Sequence, residues 1–493
     1  MGLRWSTVAI LVSHSYRGHC GALSESLVDG SVLDLEMRSD TKAARIALFN
    51  FSTPAMRAFH MSWLAFFFCF FAWFGIAPLM KVVRDELRLT ADQVGWCIVG
   101  SVSITVLARM AAGWCCDRFG PRRTYSALLL VGSLPVMAIG LAHSFETFLL
   151  FRVLIGVIGA GFVITQFHTT VMFAPNCVGT ANATTAGWGN LGGGVTQAAM
   201  PLLFTLLVSV LGFSAAAGWR LCMVVAGLLI AAMGVAYWFL TQDLPAGDYV
   251  ELRRRGALAP KRAVKGAFAE ACRDRRVWAL AAIYGACFGI ELTIDNVIAL
   301  YFVDYFDGFK QMSAVESVRT AGLFASMFGM MHLFARTLGG FVSDRSAATW
   351  GLSGRVKWLF LALFGEGLAL MLFAQMSVLA WAIPSLLLFG LFMKMSEGAT
   401  YAIVPFINKR ALGSVAGVVG AGGNVGAVAA GLLFQGHIPW PTAFFVLGTT
   451  VIAASFLSFA VTFDGLAERE PSLAPLAEGD ASGHELAGAT VGF

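Results

Sequence analysis

The sequence predicts an all-α membrane fold of twelve transmembrane helices, arranged as two pseudo-symmetric halves of six. Three observations predict it. Of the 493 residues, 58% are hydrophobic and 13% charged, roughly half the charge of a soluble domain, and the mean hydropathy is +0.74. Apolar stretches of about twenty residues, the length that crosses a hydrocarbon core, follow one another as six, a basic break, and six. Short motifs recur in the same order in both halves. A soluble fold has too little interior to hide so much apolar surface, whereas lipid accommodates it.

Taken in order, the apolar run Trp5–Ser13 is too short to span. Residues 1–57 read as a cytosolic arm of mixed charge without periodicity. The first six spans are expected at Met61–Met80, Gln93–Cys116, Thr124–His143, Thr147–Thr170, Val178–Ser209 and Gly218–Thr241, within a half covering 58–241. A basic linker, 242–276, separates them from Val277–Val303, Thr320–Ser343, Lys357–Met376, Leu379–Val404, Leu412–Phe434 and Thr442–Phe463, within a half covering 277–463. The tail, 464–493, is acidic and rich in Ala and Gly, a composition that favours disorder.

Loop charge sets the orientation. The linker carries Arg253, Arg254, Arg255, Lys261, Arg262, Lys265, Arg273, Arg275 and Arg276. Loops on the same side add Arg118, Arg122, Arg123, Arg345, Arg355, Lys357, Lys409 and Arg410. The opposite side is left with Lys81, Arg84, Arg88, Arg152, Arg220, Lys310 and Arg319. The positive-inside rule then puts both termini in the cytosol. The triplets at Asn50 and Asn182 fall in the cytosol or the membrane and are expected to stay unglycosylated. The net charge of +5 is modest and sits in short loops, which does not point to nucleic acid. Nine cysteines, mostly within apolar runs and without CxxC or Cys/His spacing, suggest small buried hydrophobes rather than disulfides or a metal site. No nucleotide loop or nucleophile triad suggests an enzyme, and no cofactor is expected.

The halves repeat one another. Arg109-x-x-x-Gly113-x-x-x-Asp117-Arg118 recurs as Arg336-x-x-x-Gly340-x-x-x-Asp344-Arg345, an offset of 227 residues. Gly189-Asn190-Leu191-Gly192 recurs as Gly423-Asn424-Val425-Gly426, an offset of 234. Parallel halves with a site at their interface are the architecture of the major facilitator type.

Arg109 and Arg336 lie inside spans, where each guanidinium costs roughly 2.5–3.5 kcal/mol on insertion scales. Two therefore cost about 5–7 kcal/mol unless something offsets them. Arg109 is eight residues, about 12 Å of helix, from Asp117, too far to snorkel easily, and no acidic residue lies within one turn of either Arg in sequence. Pairing with a carboxylate from another helix is one way to offset the cost. The other is an anion between the halves, because a planar guanidinium fork matches a planar trigonal oxyanion with two parallel hydrogen bonds.

The runs Gly187-Trp-Gly-Asn-Leu-Gly-Gly-Gly194 and Gly420-Ala-Gly-Gly-Asn-Val-Gly426 are suited to close helix packing. They cost about 1 kcal/mol per glycine against Ala in a helix, so a sliding surface for rocking halves is a second use. Asn190 and Asn424 need a partner, either a facing helix or the anion.

These two runs resemble the paired signatures of the nitrate/nitrite porter family within the major facilitator superfamily. Arg109 and Arg336 fall where that family keeps its anion-binding pair. The stretch from Tyr284 to Ala299 is similar to span seven of eukaryotic high-affinity nitrate transporters, as are Met56–Trp63 and Glu397–Thr400. The likeness covers roughly residues 45–465. Leu191 stands where the signature often has Met, and the chain after Asp344-Arg345 lacks the Gly-x-Arg-Arg found at Gly120–Arg123. The resemblance implies an aromatic clamp, with Tyr284 and Phe288 one helical turn apart and Phe162 a weaker match. It implies a loop latch at Asp117, Arg118, Arg122 and Arg123, whose alternative role is to set topology. Gly189, Gly192, Gly193, Gly423 and Gly426 are its gating and packing positions. It also implies nitrate or nitrite as substrate, a plasma-membrane location and, in plant relatives, a small accessory membrane protein.

Importing an anion against a negative-inside potential costs about 2.3 kcal/mol per charge per 100 mV. Proton symport offsets this, and nitrate/nitrite exchange avoids it. Glu291, Asp295 and His332 are candidate proton carriers as polar groups within spans; helix pairing for Glu291 and ordinary burial for His332 explain them equally well. An exchanger of larger organic anions, wanting more basic residues, and a non-transporting nitrate sensor are the remaining readings.

Overall fold

A computed structural model of the chain describes residues 42–174, 177–256, 267–408 and 412–463. Most of the N-terminal arm, the tail, Lys261, Arg262, Lys265, Lys409 and Arg410 lie outside the described residues.

Eleven helical runs among the described residues are long and apolar enough to cross a membrane. In the first half these are α1 (Pro54–Leu87), α2 (Ala91–Phe119), α3 (Pro121–Leu141), α4 (Phe145–Met172), α5 (Val178–Val210) and α6 (Ala215–Leu240). The second half opens with α7 (Arg275–Tyr305) and then a run from Ala314 to Ala374. That run has 61 residues, which as one straight helix would reach about 92 Å, some three times the hydrocarbon core. It folds back instead. Trp350 leaves helical geometry, and Gly351 takes φ 62°, ψ −155°, a conformation open cheaply only to glycine. The indole Nε1 of Trp358 donates to the carbonyl of Gly339 at 3.0 Å, although a straight helix would hold them about 28 Å apart. The run is therefore two antiparallel arms, α8 (314–349) and α9 (352–374). With α10 (Leu379–Phe406), α11 (Ser414–Phe434) and α12 (Trp440–Ala460), the described residues make twelve helical passes. It is a multi-pass membrane protein.

Helix ends follow local chemistry. Thr53 caps α1 by accepting from Met56 N, with Pro54 in the first turn. Thr90 and Gln93 form a capping box on α2, and Asp274 caps α7, so orphan amides are satisfied by side chains.

The halves share one packing plan: α1 lies on α5 as α7 lies on α11, and α3 on α6 as α9 on α12. They touch through α2 with α11 and α5 with α8. These inter-half contacts run from mid-depth to the face opposite the linker. There a Cβ on Gly95 would strike the backbone of Phe434 and Gln435, and Gly194 and Gly329 pack backbone to backbone. Gln197 Nε2 donates to the carbonyl of Asp295 at 2.6 Å, and Arg84 pairs with Asp304. Toward the linker face, a Cβ on Gly340 or Gly417 would meet nothing within 4 Å. The closest contacts between the halves thus lie far from the linker.

Candidate functional site

On the inner arm of α2 the buried residues are Thr105, Arg109, Ala112 and Cys116. That spacing is one helix face, so the sequence itself turns Arg109 inward. Its Nε donates to the Gly159 carbonyl at 3.3 Å and its Nη1 to the Gly420 carbonyl of α11 at 3.4 Å. The guanidinium lies 5.2 Å from the Phe162 ring centroid. Nη2 is buried with no partner. No carboxylate pairs with Arg109 among the described residues.

Arg336 begins the linker-side segment of α8, just past a 3-10 turn at Met331–Leu333. The sequence shows no acid beside it, but the tertiary structure brings one: Arg336 Nη1 lies 3.0 Å from Glu397 Oε2 of α10. Its Nη2 donates to the Tyr284 hydroxyl at 3.3 Å, and the guanidinium lies 5.7 Å from the Tyr401 ring. Carboxylate pairing therefore holds for Arg336 and not for Arg109.

The aromatic residues connect the two sites. Phe288 stacks on Tyr284 at 5.0 Å, and Tyr401 meets Tyr284 edge-on at 5.1 Å. The Tyr401 hydroxyl is buried without a partner and sits beside Gly420, whose carbonyl Arg109 uses. Tyr284 and Tyr401 lie within electrostatic range of both guanidiniums. Asn424 Nδ2 donates to the same Gly420 carbonyl at 3.4 Å, while its oxygen is unpartnered. Asn190 is buried on α5 with neither amide atom bonded, and no hydrogen bond joins it to either arginine. Each buried donor without an acceptor costs about 1–3 kcal/mol, so the free donors on Arg109 and Tyr401 favour an acceptor-rich guest.

The glycines divide in their use. A Cβ on Gly189 or Gly192 would strike Phe66 or the Phe67 backbone of α1; one on Gly423 or Gly426 would strike the Tyr284 and Phe288 rings or the Gly285 backbone of α7. These four seat a helix within its own half. Gly187, beside the His332 carbonyl, Gly193, facing Asp295, and Gly194, against Gly329, look across.

The candidate proton carriers belong to a buried ionic cluster in the second half. Glu291 of α7 is paired with His332 and, at 3.1 Å, with the Lys394 ammonium of α10. Lys394 Nζ also lies 3.1 Å from His332 Nε2 and 4.3 Å from the Phe328 ring centroid. Glu366 of α9 accepts from Ser396 at 2.9 Å. Asp295 is buried toward Gly193. Sequence reasoning missed Lys394, Glu366 and Tyr401, and it did not join Glu397 to Arg336. The signal was present: Lys394, Glu397 and Glu366 are charges within apolar runs, the same criterion that found Arg109.

Two loop expectations need correction. Arg152 is not a loop charge. It is 3% exposed on α4 and donates to Asn296 Oδ1 of α7 at 2.7 Å, because the short turn before Phe145 starts that helix seven residues earlier. Arg355 is buried at the hairpin bend and paired with Asp344. At the other latch, the carbonyls of Asp117 and Arg118 accept from Arg253, and Arg122 pairs with Asp248. Asp243 accepts from the amides of Arg122 and Tyr249, each at 2.9 Å, while burial pushes its carboxyl up from the usual range. These contacts tie the loop to the linker.

Residues 62–406 match the Major Facilitator Superfamily. The chain is 39% identical to the high affinity nitrate transporter 2.5 of Arabidopsis thaliana, over 81% of this chain and 78% of that protein. It is 38% identical to the high-affinity nitrate transporter 2.3 of Oryza sativa subsp. japonica, over 80% and 75%. To the nitrate/nitrite transporter NrtP of Nostoc punctiforme it is 30% identical, over 88% and 97%. A solved bacterial homolog of the human lysosomal transporter Spinster, inward-facing and unoccupied, superposes with a TM-score of 0.60 at 16% identity, covering 83% of this chain and 95% of that one; this shows the fold alone. Fold, repeated motifs and relatives together place the chain in the nitrate/nitrite porter family of the Major Facilitator Superfamily, as a transporter and not an enzyme.

Proposed function

We propose that this chain imports nitrate, and nitrite as a related substrate, across the plasma membrane by proton-coupled alternating access. The anion is held between Arg109 and Arg336, with Tyr284, Phe288 and Phe162 as the aromatic clamp and Asn190 and Asn424 as polar neighbours. The observation that carries the reading is Arg109. Its buried guanidinium is satisfied only by neutral carbonyls, it retains an unbonded nitrogen, and it shares Tyr284 and Tyr401 with Arg336. A monovalent planar oxyanion offsets that charge and fills the donors. The named substrates of the relatives point the same way.

In this reading the linker face is cytosolic, both termini included, because it carries the excess of Lys and Arg. The arm 1–57, the halves 58–241 and 277–463, the linker 242–276 and the tail 464–493 are the working domains. The tight packing far from the linker then makes the linker face the side on which the halves open inward. Glu291, Asp295 and His332 are the proton-coupling candidates. Gly193 faces the interface on which the halves rock, and Asp117 and Arg118 limit that motion through Arg253.

Labelled nitrate uptake into proteoliposomes, with voltage and pH gradient clamped separately, tests this. Accumulation driven by an inward proton gradient is expected. Exchange with trapped nitrite but no gradient-driven accumulation would make the chain an exchanger, and binding without uptake would make it a sensor.

A further inference from the structure

We infer that Glu397 is the coupling carboxylate. It occupies Arg336 when the site is empty, the substrate anion takes its place there, and Glu397 then carries a proton shared with Glu291. This rests on the anion-site reading above.

Three observations support it. First, the symmetric arginines differ: Arg109 has no carboxylate, while Arg336 carries Glu397 Oε2 at 3.0 Å. A carboxylate and a trigonal oxyanion present the same acceptor edge to a guanidinium, so Glu397 is an internal competitor for the substrate's place.

Second, Glu397 and Glu291 are neighbours: one carboxylate oxygen of each lies within 4.8 Å of the other and of a His332 ring nitrogen, and each keeps one buried oxygen that no donor satisfies. Two bare carboxylates so placed repel. A single proton between them removes the repulsion and satisfies both oxygens. Glu291 is anchored on its other side by Lys394 and His332. Glu397 is held only by Arg336 and is therefore the movable member.

Third, formal charge balances inside the bundle. With every group counted as ionised, Arg109, Arg152, Arg336 and Lys394 match Glu291, Asp295, Glu366 and Glu397 in number. An entering anion leaves one negative charge in excess at low dielectric, and one proton cancels it. The groups facing Glu397 are Glu291, Tyr284 and Cys287 from α7, His332 and Arg336 from α8, and Lys394 and Tyr401 on α10 itself, while Glu366 of α9 and Asp295 of α7 act on Glu291 and Lys394.

The step balances. An O–H bond forms at Glu397 with a proton from the side on which the anion enters. The Arg336–Glu397 pair is replaced by Arg336–anion; when the anion leaves on the other side the O–H bond breaks, its proton passes to water on that side, and Glu397 returns to Arg336.

The test uses the full chain, purified for nitrate binding by thermal stabilisation and reconstituted for labelled nitrate transport. Wild-type binding should tighten at least about fivefold between about pH 8 and about pH 6, because the competitor is protonated at the lower pH. Glu397→Gln should bind with little pH dependence and, at about pH 8, more tightly than wild type. It should still exchange labelled nitrate while losing accumulation driven by a proton gradient. Glu397→Asp should keep both pH dependence and coupling, and Glu291→Gln should shift the pH midpoint of binding. Wild-type binding that is flat with pH, or Glu397→Gln accumulating nitrate as wild type does, overturns the proposal. Should Glu397→Gln not insert, the Asp and Glu291 variants and the wild-type pH profile decide it. A wild-type chain that neither binds nor moves nitrate defeats the anion-site reading itself, which is a different failure.

Discussion

The two halves repeat a backbone and a motif, yet they are loaded differently. In the first half the buried polar groups beyond the arginines are neutral. His168 Nδ1 bonds the Tyr237 hydroxyl at 2.5 Å, Tyr237 bonds Ser62 at 3.0 Å, and Tyr125 bonds Thr165 at 2.8 Å. In the second half the equivalent interior holds Glu291, His332, Lys394, Glu366 and Glu397. Arg109 therefore waits on carbonyls, and Arg336 is held by an acid. Pseudo-symmetry puts two guanidiniums at one site; the asymmetry of what surrounds them separates an anchor for the anion from a device that responds to it.

Substitutions that break this comparison should be graded. The largest effect belongs to the anchor. Arg109→Lys should lower nitrate uptake by about a hundredfold or more, since a point charge cannot reproduce the planar fork, with normal insertion checked by size-exclusion of the solubilised chain. Arg336→Lys should also abolish most uptake. Near-normal uptake by both variants removes the arginine pair from the site. Next comes Lys394→Met, which leaves Glu291 without its ammonium. Breaking a buried pair costs about 3–5 kcal/mol, seen as a clear drop in the thermal midpoint, and an unchanged midpoint would mean the cluster is not ionic. Tyr401→Phe removes a buried hydroxyl that has no partner in the empty site. If it donates to the anion, affinity should fall by about fivefold to a hundredfold with stability unchanged or raised. His168→Asn in the first half should be the mildest: about 1 kcal/mol of stability, with uptake largely kept. A loss of coupling there would refute the division between halves.

Much of the fold was legible in the sequence because a bilayer imposes a length on every apolar run. Predicted spans such as Gly218–Thr241 and Val277–Val303 lie within or close to α6 and α7. The α8–α9 hairpin was legible as the two spans Thr320–Ser343 and Lys357–Met376, because a polar stretch separates their apolar runs, and the structure reverses the chain there at Trp350 and Gly351. Arg152 was misread because it was counted with the loop charges although the expected span Thr147–Thr170 already contained it, and no local rule pairs it with Asn296 on α7. Arg109 was legible because its own helix face is apolar and short-side-chained. Glu397 was not joined to Arg336, because the two are 61 residues apart and no local rule brings α8 and α10 together.

By itself the sequence determined that the chain lives in lipid, that it is doubled, and that each half buries an arginine, because hydropathy, span length and motif offset are local or periodic properties. Only the tertiary structure decided which arginine carries a carboxylate, that Gly189, Gly192, Gly423 and Gly426 seat helices within their own halves, and that Lys394 and His332 hold Glu291. Those are facts about which helix faces meet, set by packing between segments far apart in the chain.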